Sequence, residues 1–236
     1  MLALPLAFSS CKDENEDENE QKKENNENTN TNEVVDATTS GFKFLVLNDK
    51  EAEVTGLNYV IASASVKVPA RVIINGKVYA VTSIGNEAFR KQRQIKEVIL
   101  PNTITSIGYD AFYDCTSLVS INLPNSITQI GSGAFLSCES LTSIILPNAI
   151  TEIGEVTFSG CKSLTSIVIP KSVTKIDRDV FVDCMSLTSI EIPNSVTEIG
   201  REAFYDCTSL KTARVPVSLK GKVESAFPST CKIEWY

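Results

Sequence analysis

From Val81 the segment VTSIGNEAFRKQRQIKEVILPNT is followed by near-copies starting at Ile104, Ile127, Ile150, Val173 and Val196. Each starts 23 residues after the last, and a truncated seventh begins at Leu219. Self-similarity at a fixed period of about 20–50 residues identifies stacked units, because one such unit cannot bury its apolar face alone. Most of the 236 residues therefore belong to one elongated domain, a solenoid of 23-residue repeats over 81–218 with a partial repeat and C-terminal cap over 219–236.

The copy at Ile127 shows what each position is for. LTSIILP, Leu141 to Pro147, predicts a short strand with Leu141, Ile144 and Leu146 inward. Pro147 ends it, since proline has no N–H to give to a ladder. ITQI predicts a second short strand, and Gly131 after it is expected to take a left-handed turn. Asp177, which replaces this glycine in the fifth copy, tolerates that conformation better than most residues. GAFLSC then predicts one or two helical turns that carry Phe135 and Cys138 into the core.

Stacking turns these positions into ladders. Phe89, Phe112, Phe135, Phe158, Phe181, Phe204 and Phe227 share one register and predict an aromatic spine. Cys115, Cys138, Cys161, Cys184 and Cys207 form a second ladder. No C-x-x-C spacing and no histidine accompany them, which argues against zinc, so buried free thiols acting as small apolar groups are expected. A threonine ladder (Thr82, Thr105, Thr128, Thr151, Thr174, Thr197) reads as a cross-strand hydrogen-bonding device.

The N-terminal third differs. MLALPLAFSSC ends in small residues before Cys11 and resembles the truncated end of a bacterial lipoprotein signal (1–11), with Cys11 the lipidated residue; a short buried strand or a disordered start is the competing reading. Lys12 to Glu33 has no large apolar residue, and its nine acids against three lysines give a net of −6, leaving the rest of the chain near −1 of the total −7. Such a stretch cannot offset the entropy of ordering, so 12–40 is expected to be a disordered acidic tether reaching about 30 Å. Directly after a lipidated cysteine it also looks like an export signal to the outer surface; a plain solvated spacer is the alternative. Residues 41–80 alternate as strands, with Asn75-Gly76 a type I′ hairpin signal. They predict an N-terminal β cap, with Phe42, Phe44, Val46 and Tyr59 covering the first coil.

The repeated pattern C-x-x-L-x-x-I-x-[IL]-P-x-x-[IV]-T-x-I-G-x-x-x-F resembles the BspA-like class of leucine-rich repeats. The resemblance covers 81–218 closely and implies an α/β leucine-rich-repeat solenoid, a β-rich right-handed superhelix of short strands and short helical turns. It also implies a bacterial cell-surface lipoprotein, anchored in the outer membrane by lipid alone and facing the exterior. The better known members of that class bind host matrix or plasma proteins such as fibronectin and fibrinogen, or other cells.

For chemistry the chain offers little. The absence of histidine removes Ser-His-Asp and Cys-His nucleophiles and the commonest transition-metal ligand. Glu152 and Glu198 lie two coils apart with Lys175 between them, which reads as a surface charge ladder, and Asp177 and Asp179 lack the further acids of a calcium loop. No enzyme, cofactor or metal is expected, and a nearly neutral body with an acidic tail is a poor match for nucleic acid. Binding is expected where copies differ on exposed strand faces. That candidate face is Ile99, Asn122, Ile145, Val168, Glu191 and Arg214, an apolar stripe ending in charge. The competing reading is that β-branched residues merely suit strands. A monomer with a protein ligand is expected. A glycan or nutrient capture lipoprotein, or a structural surface-layer component, is the alternative.

Overall fold

The computed structural model describes residues 34–58, 64–223 and 225–236. The chain is β-rich, and the one helix among the described residues is a 3-10 turn, Val217–Leu219.

Six strands precede the repeats: β1 (Val34–Asp36), β2 (Phe42–Val46), β3 (Glu51–Leu57), β4 (Ser65–Lys67), β5 (Arg71–Ile74) and β6 (Lys77–Ile84). Five of them form one sheet in the order β1-β5-β6-β3-β2, while β4 joins the first strand row of the repeats. The β5–β6 hairpin turns at Asn75 and Gly76, both left-handed (φ 52° and 79°), as a type I′ turn requires. β6 is long enough to belong to two structures. Its first half pairs with β5, and Ser83 and Ile84 in its second half open the ladder of the repeats. Phe42 meets Phe89 edge-on at 6.4 Å, so an aromatic of this sheet closes the first ring of the spine. Val46 is exposed rather than covering, because β2 is an edge strand and its end runs past the coil. Tyr59 lies outside the described residues. Val34–Asp36, within the stretch expected to be tether, instead pairs in parallel with β5, and its valines supply the β-formers that the acidic run before them lacks.

Each repeat adds two strands. One row comprises β7 (Glu97–Ile99), β9 (Ser120–Asn122), β11 (Ser143–Ile145), β13 (Ser166–Val168), β15 (Ser189–Glu191) and β17 (Thr212–Val215). The second comprises β8 (Ser106–Ile107), β10 (Gln129–Ile130), β12 (Glu152–Ile153), β14 (Lys175–Ile176) and β16 (Glu198–Ile199). β18 (Lys232–Trp235) pairs in parallel with β17 and closes the first row. Between the rows the chain turns on proline: the carbonyl of Pro101 accepts the N–H of Ile104 at 3.1 Å, and Pro124 and Ile127 repeat this.

The third side of each coil is not helical, contrary to the expectation for GAFLSC. Asp110 and Asp114 are left-handed (φ 50° and 59°), and Gly133 and Ser137 repeat this in the next coil, so no α-helical turn can form across them. Alternate N–H groups leave the coil altogether: those of Asp110, Phe112 and Asp114 donate to Ser132, Ala134 and Leu136 of the next coil at 2.8–3.0 Å. Those of Tyr113 and Cys115 close tight turns onto Asp110 and Phe112. The i, i+3 spacing of Phe and Cys thus reflects turns that also carry a ladder between coils.

Gly131 also differs from expectation. It is not left-handed; a Cβ there would stand 2.5 Å from the Tyr109 backbone nitrogen of the preceding coil. Its role is close approach between coils. The left-handed positions are filled by other residues, among them Val156 at φ 51°. A β-branched side chain there is strained by about 1–2 kcal/mol. Val156→Gly is therefore expected to stabilise the fold by about 1 kcal/mol in denaturant unfolding; a loss of stability would show that the strain is absent.

The core follows from stacking. Seven phenylalanine rings from Phe89 to Phe227 stack face to face, with centroids 4.7–5.6 Å apart and planes within 14° of parallel. The first six are wholly buried.

Candidate functional site

Along the first row the pleat sends alternate residues in and out. Val98, Ile121, Ile144, Ile167 and Ile190 are buried, so the residue after each points outward. Register places Ile99 beside Asn122, Ile145 beside Val168, and Glu191 beside Arg214. The six candidate residues thus fall in three registered pairs along the row, which is interrupted between β9 and β11 and between β13 and β15, and they are not equivalent. Ile145 and Val168 are 83% and 79% exposed, against nearly complete burial of the inward isoleucines. Ile99 and Asn122 are half-buried.

Asn122 does not present its amide to solvent. Its Oδ1 accepts the Leu100 N–H at 2.8 Å and its Nδ2 donates to the Leu100 carbonyl at 3.2 Å. The side chain folds back over the preceding coil and leaves a notch in the stripe. That notch is part of an open groove of about 690 Å³ lined by Ile99, Asn102, Asn122, Asn125, Ser143 and Ile145. At the other end, Arg214 donates to Glu191 at 2.8 Å and lies over the Tyr236 ring at 4.8 Å. Tyr236 is held in turn by its hydroxyl, which donates to the Ile192 carbonyl at 2.7 Å. These charges are spent on one another. Between the two ends, Val119–Asn122, Thr142–Ile145 and Thr165–Val168 carry no charged side chain. The centre of the face is apolar and hydroxylic, and charge stands only at its rim.

The row is longer than the repeats alone suggest. Lys67 of β4 stands in register with Ile99, and Glu234 of β18 with Arg214. Nothing in the periodicity announces either; the alternation in KIEW was the one available signal. The groove was equally out of reach, because it depends on the rotamer of Asn122.

Other ladders are structural. Thr105, Thr128, Thr174 and Thr197 each donate their hydroxyl to the threonine carbonyl one coil back, at 3.1–3.3 Å. The thiols of Cys115, Cys138, Cys161, Cys184 and Cys207 are free and buried, and each donates to a phenylalanine carbonyl at 3.0–3.3 Å. Burial pushes Cys115 and Cys207 up to about 12 from the ordinary 9.0, and Cys138, Cys161 and Cys184 well above it. They are neither nucleophiles nor ligands at neutral pH. Lys175 stands between Glu152 and Glu198 and pairs with Asp177 at 3.2 Å. The hydrogen bond to Asp177 raises its pKa, and the carboxylates beside it add to this. Among the described residues no three His, Cys, Asp or Glu side chains converge as metal ligands would.

The profile of the BspA type leucine rich repeat region matches six copies, across residues 77–188 and 174–235. The chain belongs to the BspA-type leucine-rich repeat family. Solved structures agree. A leucine rich cell surface protein from Faecalibacterium prausnitzii is 29% identical over 73% of this chain and 52% of its own, with a TM-score of 0.58. The leucine rich repeat protein of T. pallidum is 29% identical over 83% of this chain and 79% of its own, with a TM-score of 0.50. One from Bacteroides capillosus is 30% identical over 54% of this chain and 93% of its own, also at 0.50. The chain thus spans about half the length of the F. prausnitzii protein. No curated protein matches it. In this BspA-type protein the apolar positions shared by all copies are inside, and the face just described is built from positions where the copies differ.

Proposed function

We propose that this BspA-type protein is a non-catalytic, adhesin-like protein displayed on a bacterial surface, and that its first strand row binds a protein of a host or neighbouring cell. In this reading a right-handed solenoid of 23-residue coils stands off the outer membrane on its acidic tail, held by lipid on Cys11, which lies outside the described residues. The exposure of Ile145 and Val168 carries the proposal. Two neighbouring large aliphatic side chains in water are unfavourable for the free protein, and an uncharged centre within a charged rim is the anatomy of a protein-binding patch. The centre of the face carries no aromatic side chain, which favours protein over glycan, because sugars are held on exposed rings.

The test is parallel binding of the full chain to immobilised fibronectin and fibrinogen, to intact host cells, and to a glycan array. Saturable binding to protein or cells is expected. Ile145→Asp and Val168→Asp should each weaken it about 30-fold, the loss of one hot-spot side chain, with the denaturant midpoint unchanged. Saturable glycan binding without protein binding would reverse the assignment, and so would variants that bind as the parent does. Protease treatment of intact producing cells must remove the domain if it faces outward.

A further inference from the structure

Within the second strand row one junction between coils is unlike the others; the first row is interrupted elsewhere, between β9 and β11 and between β13 and β15. In the second row β6, β8 and β10 pair in sequence, as do β12, β14 and β16, but β10 and β12 do not pair. The bonds that recur elsewhere show what is missing. Thr128 donates to Thr105 and Thr174 to Thr151 at 2.8–2.9 Å, and Gly131 donates to Ile107 and Asp177 to Ile153 at 2.9 Å. Thr151 and Gly154 make no such bonds to Thr128 and Ile130. The gap is also seen in spacing. A Cβ on Gly131 or Gly200 would stand 2.5 or 2.3 Å from backbone of the preceding coil, whereas one on Gly154 would stand 3.5 Å from the nearest backbone atom. Ile130, at the gap, is half-buried, while Ile107, Ile153, Ile176 and Ile199 are buried.

The other two sides of the same junction are closed. β11 pairs with β13 through all three residues, and Gly133, Phe135 and Ser137 donate to Glu155, Thr157 and Ser159 at 2.7–3.0 Å. Two residues set the open side apart. Val156 is the one β-branched residue among the described left-handed positions. Thr157 takes the place of Ala111 and Ala134, is buried, and donates its hydroxyl to the Gly154 carbonyl at 2.8 Å, fixing the turn that carries the unbonded Gly154 amide. Bulk alone is not the cause, because Val180 fills the same register one coil on, where β12 and β14 pair normally.

We infer that the solenoid flexes between residues 127–149 and 150–172, with the β11–β13 pair as hinge and the Thr128–Gly154 side opening and closing, and that Val156 and Thr157 hold that side open. The hinge pair contains Ile145 and Val168, in register across this junction. Flexing therefore changes the angle between the two halves of the candidate face while keeping its two most exposed residues together. That consequence for ligand rests on the binding proposal; the hinge itself does not.

Residue-resolved amide exchange by NMR on the free full chain tests it, with no ligand present. After correction for intrinsic rates, Thr151 and Gly154 should exchange about 100-fold faster than Thr128, Gly131, Thr174 and Asp177, as expected for local opening in an otherwise protected ladder. The double variant Val156→Gly, Thr157→Ala, which places at both positions residues found in neighbouring copies, should bring Thr151 and Gly154 to the protection of their counterparts. Equal protection in the parent overturns the hinge. Fast exchange that persists in the folded double variant overturns the assignment to Val156 and Thr157. A failed ligand screen touches neither result.

Discussion

Raising the pH from 8 to 10 is expected to remove about 7 kcal/mol of folding stability through the cysteine ladder alone. The unfolded chain ionises its thiols around the ordinary value of 9.0, while the fold keeps Cys115 and Cys207 protonated up to about 12 and Cys138, Cys161 and Cys184 well beyond 9.0. The cause is burial, which penalises a thiolate in an apolar column. The sign follows. Below pH 9 both states hold the proton and nothing is lost. As pH rises from 9 towards 12, the unfolded state releases protons that the native state retains, so stability falls. At pH 10 each thiol contributes about 1.4 kcal/mol, hence the total for five. Domains are stable by only about 5–15 kcal/mol, so the protein should be near unfolding there. Urea midpoints under reductant at pH 7, 8, 9 and 10 measure the loss, and Cys161→Ala should reduce the slope above pH 9 by about 1.4 kcal/mol per pH unit. A midpoint that holds constant to pH 10 would mean that the thiols are not kept neutral.

Phe158→Ala is expected to cost about 3–5 kcal/mol. Phe158 lies between Phe135 and Phe181 at 5.5 and 5.6 Å, nearly parallel to both, and is wholly buried. Removing the ring exposes two aromatic faces to a void. The neighbouring coils cannot close it, because the turn segments on either side are tied at 2.7–3.0 Å through the Phe135, Phe158 and Phe181 N–H groups, which donate to Thr157, Val180 and Ala203. The cost should therefore include a full cavity term. Denaturant unfolding measures it; a loss under 1 kcal/mol would refute the spine as a major source of stability. In a linear array each coil touches only its neighbours. The transition of this variant should accordingly broaden, with the two halves beginning to unfold apart.

What was legible in the sequence was whatever every coil repeats. A residue that recurs at each copy is multiplied into a ladder by stacking, so Phe, Cys, Leu and Ile could be placed inside without any knowledge of the fold's details. The helical reading of GAFLSC failed because the spacing of Phe135 and Cys138 fits both a helix and successive turns. The discriminator was the destination of alternate N–H groups, which lies in another coil. Gly131 failed for the same reason. Its value is the absence of a Cβ towards Tyr109, a residue 22 positions away.

The sequence by itself determined the family, the register of the coils and which faces are apolar, because those depend on a pattern that repetition amplifies. Only the tertiary structure decided that Asn122 folds away to open a groove, that Glu191 and Arg214 neutralise each other, and that β10 and β12 stand apart. Each of these depends on one side chain or one turn in one coil. No repetition reinforces such a singular contact, and its energy is set by neighbours a whole coil distant along the chain.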